Sequence, residues 1–299
     1  MKKLAVIFPG QGSQYVGMGK ESLHSERFVS FLKRADDVLG FELSKIMFEG
    51  PENILTLTEN AQPAIFVMSY AIFQIISDSL QKDSELILGG HSLGEYTAVS
   101  CAGAISFEDC VKLVRLRGKF MQEAVPEGEG SMSAVILPKE KVEEEVKKFE
   151  NLWIANVNSQ DQVVVSGKKE SVEKFSEYIR KNFRARVVPL KVSAPFHSPL
   201  MAPAREKLKE AFNKVNIGQM KFKILSAHTV QYYSKETVEK TLLDGIVSEV
   251  NFLGFIKKLY EDGVRDFVEV GPGKVLSSLV KRILHEFDDV RISNVNAVD

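Results

Sequence analysis

The chain has 299 residues, 44% hydrophobic and 26% charged, which is enough for a large core and for one domain with an insertion or two domains. With 39 Lys plus Arg against 40 Asp plus Glu, the net charge of −1 gives no global pull toward nucleic acid or an anionic membrane. Neither is expected as a partner; no segment reads as long enough to cross a bilayer, and Met1-Lys2-Lys3 with five apolar residues before Pro9 is too short for a signal peptide.

Residues 4–8 predict a first strand, running into the loop Pro9-Gly10-Gln11-Gly12-Ser13-Gln14. Helical patterns follow over 25–39 and 64–80, the second opened by Gln62-Pro63. A short apolar strand over 85–89 and a small-residue helix over 95–104 come next, then a helix over 106–121. This alternation predicts a three-layer α/β domain with a mainly parallel sheet. The turn-rich Pro126-Glu127-Gly128-Glu129-Gly130 breaks the rhythm. Strand 131–137, helix 139–149, strands 152–157 and 162–166, helix 169–181 and strand 184–190 then give the order β-α-β-β-α-β, which is ferredoxin-like. These boundaries predict a large domain of residues 1–126 and 193–299 and an insertion of residues 127–192, with the chain rejoining the large domain at Ser193. The last third predicts helix 201–213, strand 223–226, helices 237–247 and 252–260, strand 266–270 and a helix from Lys274.

Gly90-His91-Ser92-Leu93-Gly94 lies between a buried strand and a helix, the setting of a nucleophile elbow. Flanking glycines allow a tight turn that lifts the Ser92 hydroxyl above the sheet, and the helix start points free N–H groups at any oxyanion formed there. In the bland alternative, Ser92 only caps the helix. A serine nucleophile needs a base within hydrogen-bond reach, and five histidines are available. His91 adjoins the serine and is expected to point away from it. His24 and His285 lie in charged helical context, and His228, after a strand, is a weak candidate. His197 lies in the proline-bracketed loop Pro195-Phe196-His197-Ser198-Pro199, the kind of strand-end loop that holds catalytic groups. Cys101 and Cys110 make no metal pattern with the histidines, so no metal is expected, and two reduced buried thiols fit a cytoplasmic protein.

Six motifs come in order: Gly10-Gln11-Gly12-Ser13-Gln14, Thr58-Glu59-Asn60-Ala61-Gln62-Pro63-Ala64, Gly90-His91-Ser92-Leu93-Gly94-Glu95-Tyr96, Arg115-Leu116-Arg117-Gly118-Lys119-Phe120-Met121-Gln122, Pro195-Phe196-His197-Ser198 and Glu269-Val270-Gly271-Pro272-Gly273-Lys274-Val275-Leu276. The series covers essentially the whole chain and resembles the malonyl-CoA:acyl-carrier-protein transacylases of fatty acid synthesis. The resemblance implies an α/β-hydrolase-like domain carrying a ferredoxin-like insertion. It implies Ser92 as the nucleophile that takes malonyl from malonyl-CoA, and His197 as base and then acid. It further implies the backbone N–H groups of Gln11 and Leu93 as the oxyanion hole, and Arg117 on the free malonyl carboxylate. No cofactor is implied; the acceptor is the phosphopantetheine thiol of acyl carrier protein. A monomer is expected.

Read without the resemblance, Arg115, Arg117 and Lys119 are a solvated basic face. With the resemblance, Phe196, beside the base, would crowd the carbon next to the thioester carbonyl and favour malonyl over α-branched units; the alternative is that it is simply core. Two positions depart from the resemblance. The segment whose main-chain carbonyl aligns the histidine usually bears glutamine before a Pro-Val pair, and its best match is Gly245 before Glu249-Val250. The loop 156–162, with Asn156 and Asn158 as CoA or phosphopantetheine contacts, lacks the usual proline. Arg180, Lys181, Arg184 and Arg186 form a basic cluster for an acidic carrier protein, or else simply complement a helix dipole. A serine esterase, an idle carrier-binding scaffold and a polyketide acyltransferase domain stay open as alternatives. A buried Arg117 separates the first, intact Ser92 and His197 the second, and the lack of a linker after the last motif the third.

Overall fold

The computed structural model describes residues 2–192 and 194–298. Strand β1 (Lys2–Phe8) is followed by the amphipathic helix α1 (Glu26–Leu39), which ends on a left-handed Gly40, and by the short helices α2 (Leu43–Glu49) and α3 (Glu52–Leu55). Helix α4 (Thr58–Gln81), strand β2 (Ser84–Gly90) and helices α5 (Leu93–Cys101) and α6 (Phe107–Glu123) come next. The middle of the chain runs β3 (Gly130–Ile136), α7 (Lys139–Val146), β4 (Leu152–Ser159), β5 (Gln162–Lys168), α8 (Lys169–Phe183) and β6 (Arg186–Pro189). The last third runs α9 (Ala202–Phe212), β7 (Lys223–Ile224), α10 (Val238–Val247), α11 (Phe252–Glu261), β8 (Asp266–Val270), α12 (Val275–Ile283) and β9 (Arg291–Val295).

The strands form two sheets. One has the order β7-β2-β1-β8-β9 with every neighbouring pair parallel. Alternation along β1 sends Val6 and Phe8 into one core and Ala5 and Ile7 into another, so helices cover both faces as a parallel sheet requires. The second sheet has the order β4-β5-β3-β6, is antiparallel, and packs Val135, Val163 and Val165 against Val142 of α7 and Phe175 and Ile179 of α8. It is the ferredoxin-like order expected from the sequence, and the whole is an α/β fold. The rejoining point given to Ser193 lies outside the described residues.

Helix α4 overturns one expectation. It begins at Thr58, not after Pro63, and at 24 residues it is long and apolar enough by those measures to cross a membrane. Its composition has another source: every residue from Asn60 to Ser69 is buried, because α4 packs between α1, α5 and α6 and has no solvent-facing side there. Pro63 is tolerated inside the helix because the carbonyl it leaves unpaired, that of Glu59, accepts a 2.7 Å hydrogen bond from Arg115 Nη1.

Other differences are smaller. The stretch 156–159 belongs to strand β4 and not to a loop, with irregular pairing around Asn158. β9 has no apolar alternation and is half-exposed, as an edge strand is; its Arg291 Nη2 bonds Asp266 across the pair at 2.6 Å.

Candidate active site

β1 and β2 end side by side, with Phe8 paired to Gly90, so the loops that follow them meet at the carboxyl edge of the parallel sheet. The turn between β2 and α5 is sterically committed. A Cβ on Gly90 would lie 2.5 Å from the Gly94 carbonyl carbon, and one on Gly94 would lie 2.0 Å from the Phe8 oxygen. Between them Ser92 has φ +54° and ψ −103°, a strained conformation for a residue with a side chain. A Cβ on Gly10 would come within 2.6 Å of the His91 oxygen, and the His91 N–H donates to the Phe8 carbonyl at 3.1 Å. The loop carrying Gln11 is therefore pressed against the turn carrying Ser92. Leu93 opens α5, where the N–H has no partner within the helix.

His197 approaches from a loop that follows the second sheet in sequence. Its backbone is also left-handed, φ +56°, and Ser198 Oγ braces the loop by donating to the Pro195 carbonyl at 2.6 Å. The residue is 5% exposed. Nε2 lies 2.8 Å from Ser92 Oγ, while Nδ1 faces the carbonyls of Gly245 at 2.8 Å and Ser248 at 3.2 Å. Carbonyls only accept, so Nδ1 carries the proton and Nε2 is left to accept from the serine hydroxyl. Burial, and next the nearby Arg117 guanidinium, push the imidazole pKa down to about 3. The ring is thus neutral at pH 7 and suited to take a proton.

Arg117 is not on a solvated face. It is 2% exposed, held inward because Gly118 lets α6 close on the start of α4: a Cβ there would lie 2.5 Å from the Thr58 oxygen. Nη1 donates to Gln62 Oε1 at 2.8 Å and Nη2 to Ser92 Oγ at 3.0 Å; the guanidinium carbon lies 5.0 Å from the Tyr96 ring centre. Nε has no partner among the described residues. Arg115 is half-buried against Glu59 at 3.1 Å, and only Lys119 of the three is exposed. Phe196 is buried next to His197 in the chain. Sequence reasoning gave no role to Gln62 or Ser248. A glutamine followed by proline within an otherwise apolar helix was a readable sign of a buried polar contact; Ser248 had none.

His91 points away from the elbow, as expected, and pairs Nε2 with Asn158 Oδ1 at 3.1 Å. Two cavities flank this region. One of about 970 Å³ is walled by Gln11, Thr58, Gln122, Lys169 and Lys191 among others; one of about 270 Å³ is walled by Gln11, His91, Asn156, Asn158 and Leu276 among others. Neither has Ser92, His197 or Arg117 in its wall; Gln11 borders both and connects them to the elbow. Among the described residues no group of three or more His, Cys, Asp or Glu converges as metal ligands would.

Residues 6–297 match the family described as the acyl transferase domain. The malonyl CoA-acyl carrier protein transacylase of Bacillus subtilis is 41% identical over 307 residues, spanning 100% of this chain and 96% of the relative. The chain belongs to the malonyl CoA-acyl carrier protein transacylase family of acyltransferases. Its fold agrees: a crystal structure of the Clostridium perfringens transacylase superposes with a TM-score of 0.92 at 41% identity, covering 99% of this chain and 94% of that one. A malonyl-transacylase solved in complex with its type II polyketide acyl-carrier protein superposes with a TM-score of 0.93 at 36% identity, covering 99% of this chain and 97% of that one. A transacylase of this family needs an activated nucleophile and a site for developing negative charge, and the residues above are chemically able to supply both.

Proposed function

We propose that this protein transfers malonyl from malonyl-CoA to the phosphopantetheine thiol of acyl carrier protein through a malonyl-Ser92 intermediate. The observation that carries this reading is the buried Arg117. A guanidinium that shares a hydrogen bond with the attacking oxygen and, among the described residues, bonds no carboxylate side chain is matched to an acyl group bearing its own carboxylate. A hydrolase of neutral esters has no use for such a cation.

In the first half-reaction Ser92 Oγ attacks the thioester carbonyl as its proton passes to His197 Nε2. The resulting oxyanion is held by the N–H groups of Gln11 and Leu93. Collapse breaks the carbon–sulfur bond, and the imidazolium returns the proton to the departing CoA thiolate. In the second half the carrier thiol gives its proton to His197 and attacks the malonyl ester, and Ser92 leaves with the proton restored. The carbonyls of Gly245 and Ser248 keep the ring in the tautomer both halves require.

With a large domain of residues 1–126 and 193–299 and an insertion of 127–192, the larger cavity is lined by residues of both parts, which supports it as the channel for the phosphopantetheine arm of both substrates. The exposed cluster Arg180, Lys181, Arg184 and Arg186 is the surface an acidic carrier protein would meet. The solved transacylase–carrier complex supports a carrier as partner.

The deciding experiment is the intact mass of the protein after brief mixing with malonyl-CoA and acid quench, with Ser92→Ala alongside. The expected result is a malonyl adduct on the native chain and none on the variant. An adduct on both, or on neither, removes the reading.

A further inference from the structure

His228, like His91, is a histidine near the site that the reaction leaves without a task, and unlike His91 it bonds the segment that aligns His197. It lies in the turn that follows β7, where Ser226 and Gln231 pair and the Val230 N–H returns to the Ser226 carbonyl. The backbone of this turn is tied to the elbow helix. Glu95, the third residue of α5, is buried and accepts from the Ala227 N–H at 2.5 Å and the His228 N–H at 3.4 Å. The turn is tied equally to the segment after α10. The Ala227 carbonyl accepts from the Asn251 N–H at 2.7 Å, and His228 Nδ1 lies 3.2 Å from the Glu249 carbonyl, to which only a protonated Nδ1 can donate.

That segment carries both acceptors of His197. It begins in the last turn of α10, where Gly245 has no side chain to fix it. A Cβ built on Gly245 would stand 3.8 Å from the His228 Cβ and 3.9 Å from Glu95 Oε2, ordinary contact distances. The side chains of His228 and Glu95 therefore flank the place where a Gly245 side chain would project. Glycine loosens a helix end, and a base whose orientation depends on two carbonyls in that helix end requires something else to hold it.

We infer that His228 is a positioning residue for His197. It clamps the 245–249 turn through the Glu249 carbonyl while Glu95 fixes its own backbone to the helix that begins beside Ser92. The two halves of the dyad are thereby joined through a polar bridge of Glu95, His228 and Glu249 that runs outside the reacting atoms. The inference rests on the Ser92–His197 reading of the site.

The test is a single-turnover measurement of malonyl-Ser92 formation by rapid acid quench and intact mass, over a range of malonyl-CoA concentrations. His228→Ala is expected to lower the saturating acylation rate about tenfold while half-saturation moves less than about twofold, the signature of a misaligned base with intact substrate binding. His228→Asn, whose amide N–H reaches toward the same carbonyl, is expected to recover most of the rate. Gly245→Ala in the His228→Ala background is expected to recover part of it by stiffening the turn from within. Wild-type acylation rates in His228→Ala overturn the inference, as does an equal loss in His228→Ala and His228→Asn or a loss confined to half-saturation. Should the wild-type chain itself form no adduct, the parent reading fails instead, so the two failures are distinguishable.

Discussion

The serine and histidine of this site are held by opposite means. Ser92 is fixed locally: two glycines, a strand end and a helix start within five residues leave its backbone one path, enforced by contacts that would fall to 2.0 and 2.5 Å with any side chain added. His197 is fixed at long range, by carbonyls 48 and 51 residues further along the chain. Steric commitment of the first kind is rigid and intolerant. Alignment of the second kind is softer, because a hydrogen bond to a helix-end carbonyl survives small movements. The two regions should respond differently to perturbation.

Arg117 hydrogen-bonds the serine and not the histidine, so its loss should leave the dyad's own bond and remove the substrate's anchor. Arg117→Ala is expected to slow malonyl loading by about 10²-fold, the scale of a buried charge-assisted pair, while acetyl loading from acetyl-CoA gains relative to it. The ratio of the two loading rates measures this. An unchanged ratio would remove the carboxylate clamp and leave Arg117 as an activator of Ser92 alone.

The glycines sharpen the contrast in stability. Gly94→Ala drives a methyl into the Phe8 carbonyl and is expected to cost about 1–3 kcal/mol in urea unfolding, with loading impaired as the elbow shifts. Gly245→Ala meets only contacts of 3.8 Å and beyond in a helix, and is expected to stabilise by roughly 0.5–1 kcal/mol. Equal destabilisation by both would mean that the histidine side is as tightly packed as the elbow.

Acidity probes the histidine side directly. With its pKa lowered to about 3 by burial and then by Arg117, His197 stays neutral in the folded chain over the interval where an unfolded histidine, near 6.5, has gained a proton. Between those values the unfolded state binds more protons, so this group's contribution to stability is complete above pH 6.5 and is lost progressively as pH falls toward 3. The acid limb of kcat/KM for loading should accordingly lie well below 6.5, and Arg117→Met should raise it by removing the second cause. A limb near histidine's ordinary value in the native chain would show a solvated ring.

What the sequence made legible follows the same division. Local signals carried the elbow, the mainly parallel character of the large sheet and the ferredoxin-like order, because each is written in consecutive residues: Gly90 and Gly94 around Ser92, or apolar runs bounded by turns. The start of α4 at Thr58, ahead of Pro63, is not legible, because the hydrogen bond from Arg115 that relieves the proline comes from 52 residues away, a separation no local pattern reports. Arg117 looks solvated beside Arg115 and Lys119 until Gly118 is seen to bring two helices into contact. The carbonyl of Gly245 escapes local pattern for the same reason. An orienting carbonyl belongs to every residue and leaves no mark in the side-chain sequence, so Gly245 comes only as a match implied by the resemblance, and the geometry brings its carbonyl to His197 and adds that of Ser248.

The smallest expected effect lies outside both halves of the dyad. Arg180 and Lys181 close the last turn of α8, Arg184 caps it in a left-handed conformation, and Arg186 opens β6, all of them exposed. Such residues complement the helix dipole whether or not a partner docks there. Reversing Arg184 and Arg186 to Glu separates the accounts, because the dipole acts within this chain and docking acts only on the second half-reaction. Docking predicts that transfer from malonyl-Ser92 to carrier protein slows several-fold at low salt, that the difference narrows as salt rises, and that loading from malonyl-CoA is unchanged. Both half-reactions falling together, with a lowered melting temperature, would assign the cluster to the stability of α8. Single-turnover transfer to a carrier protein at two salt concentrations decides between them.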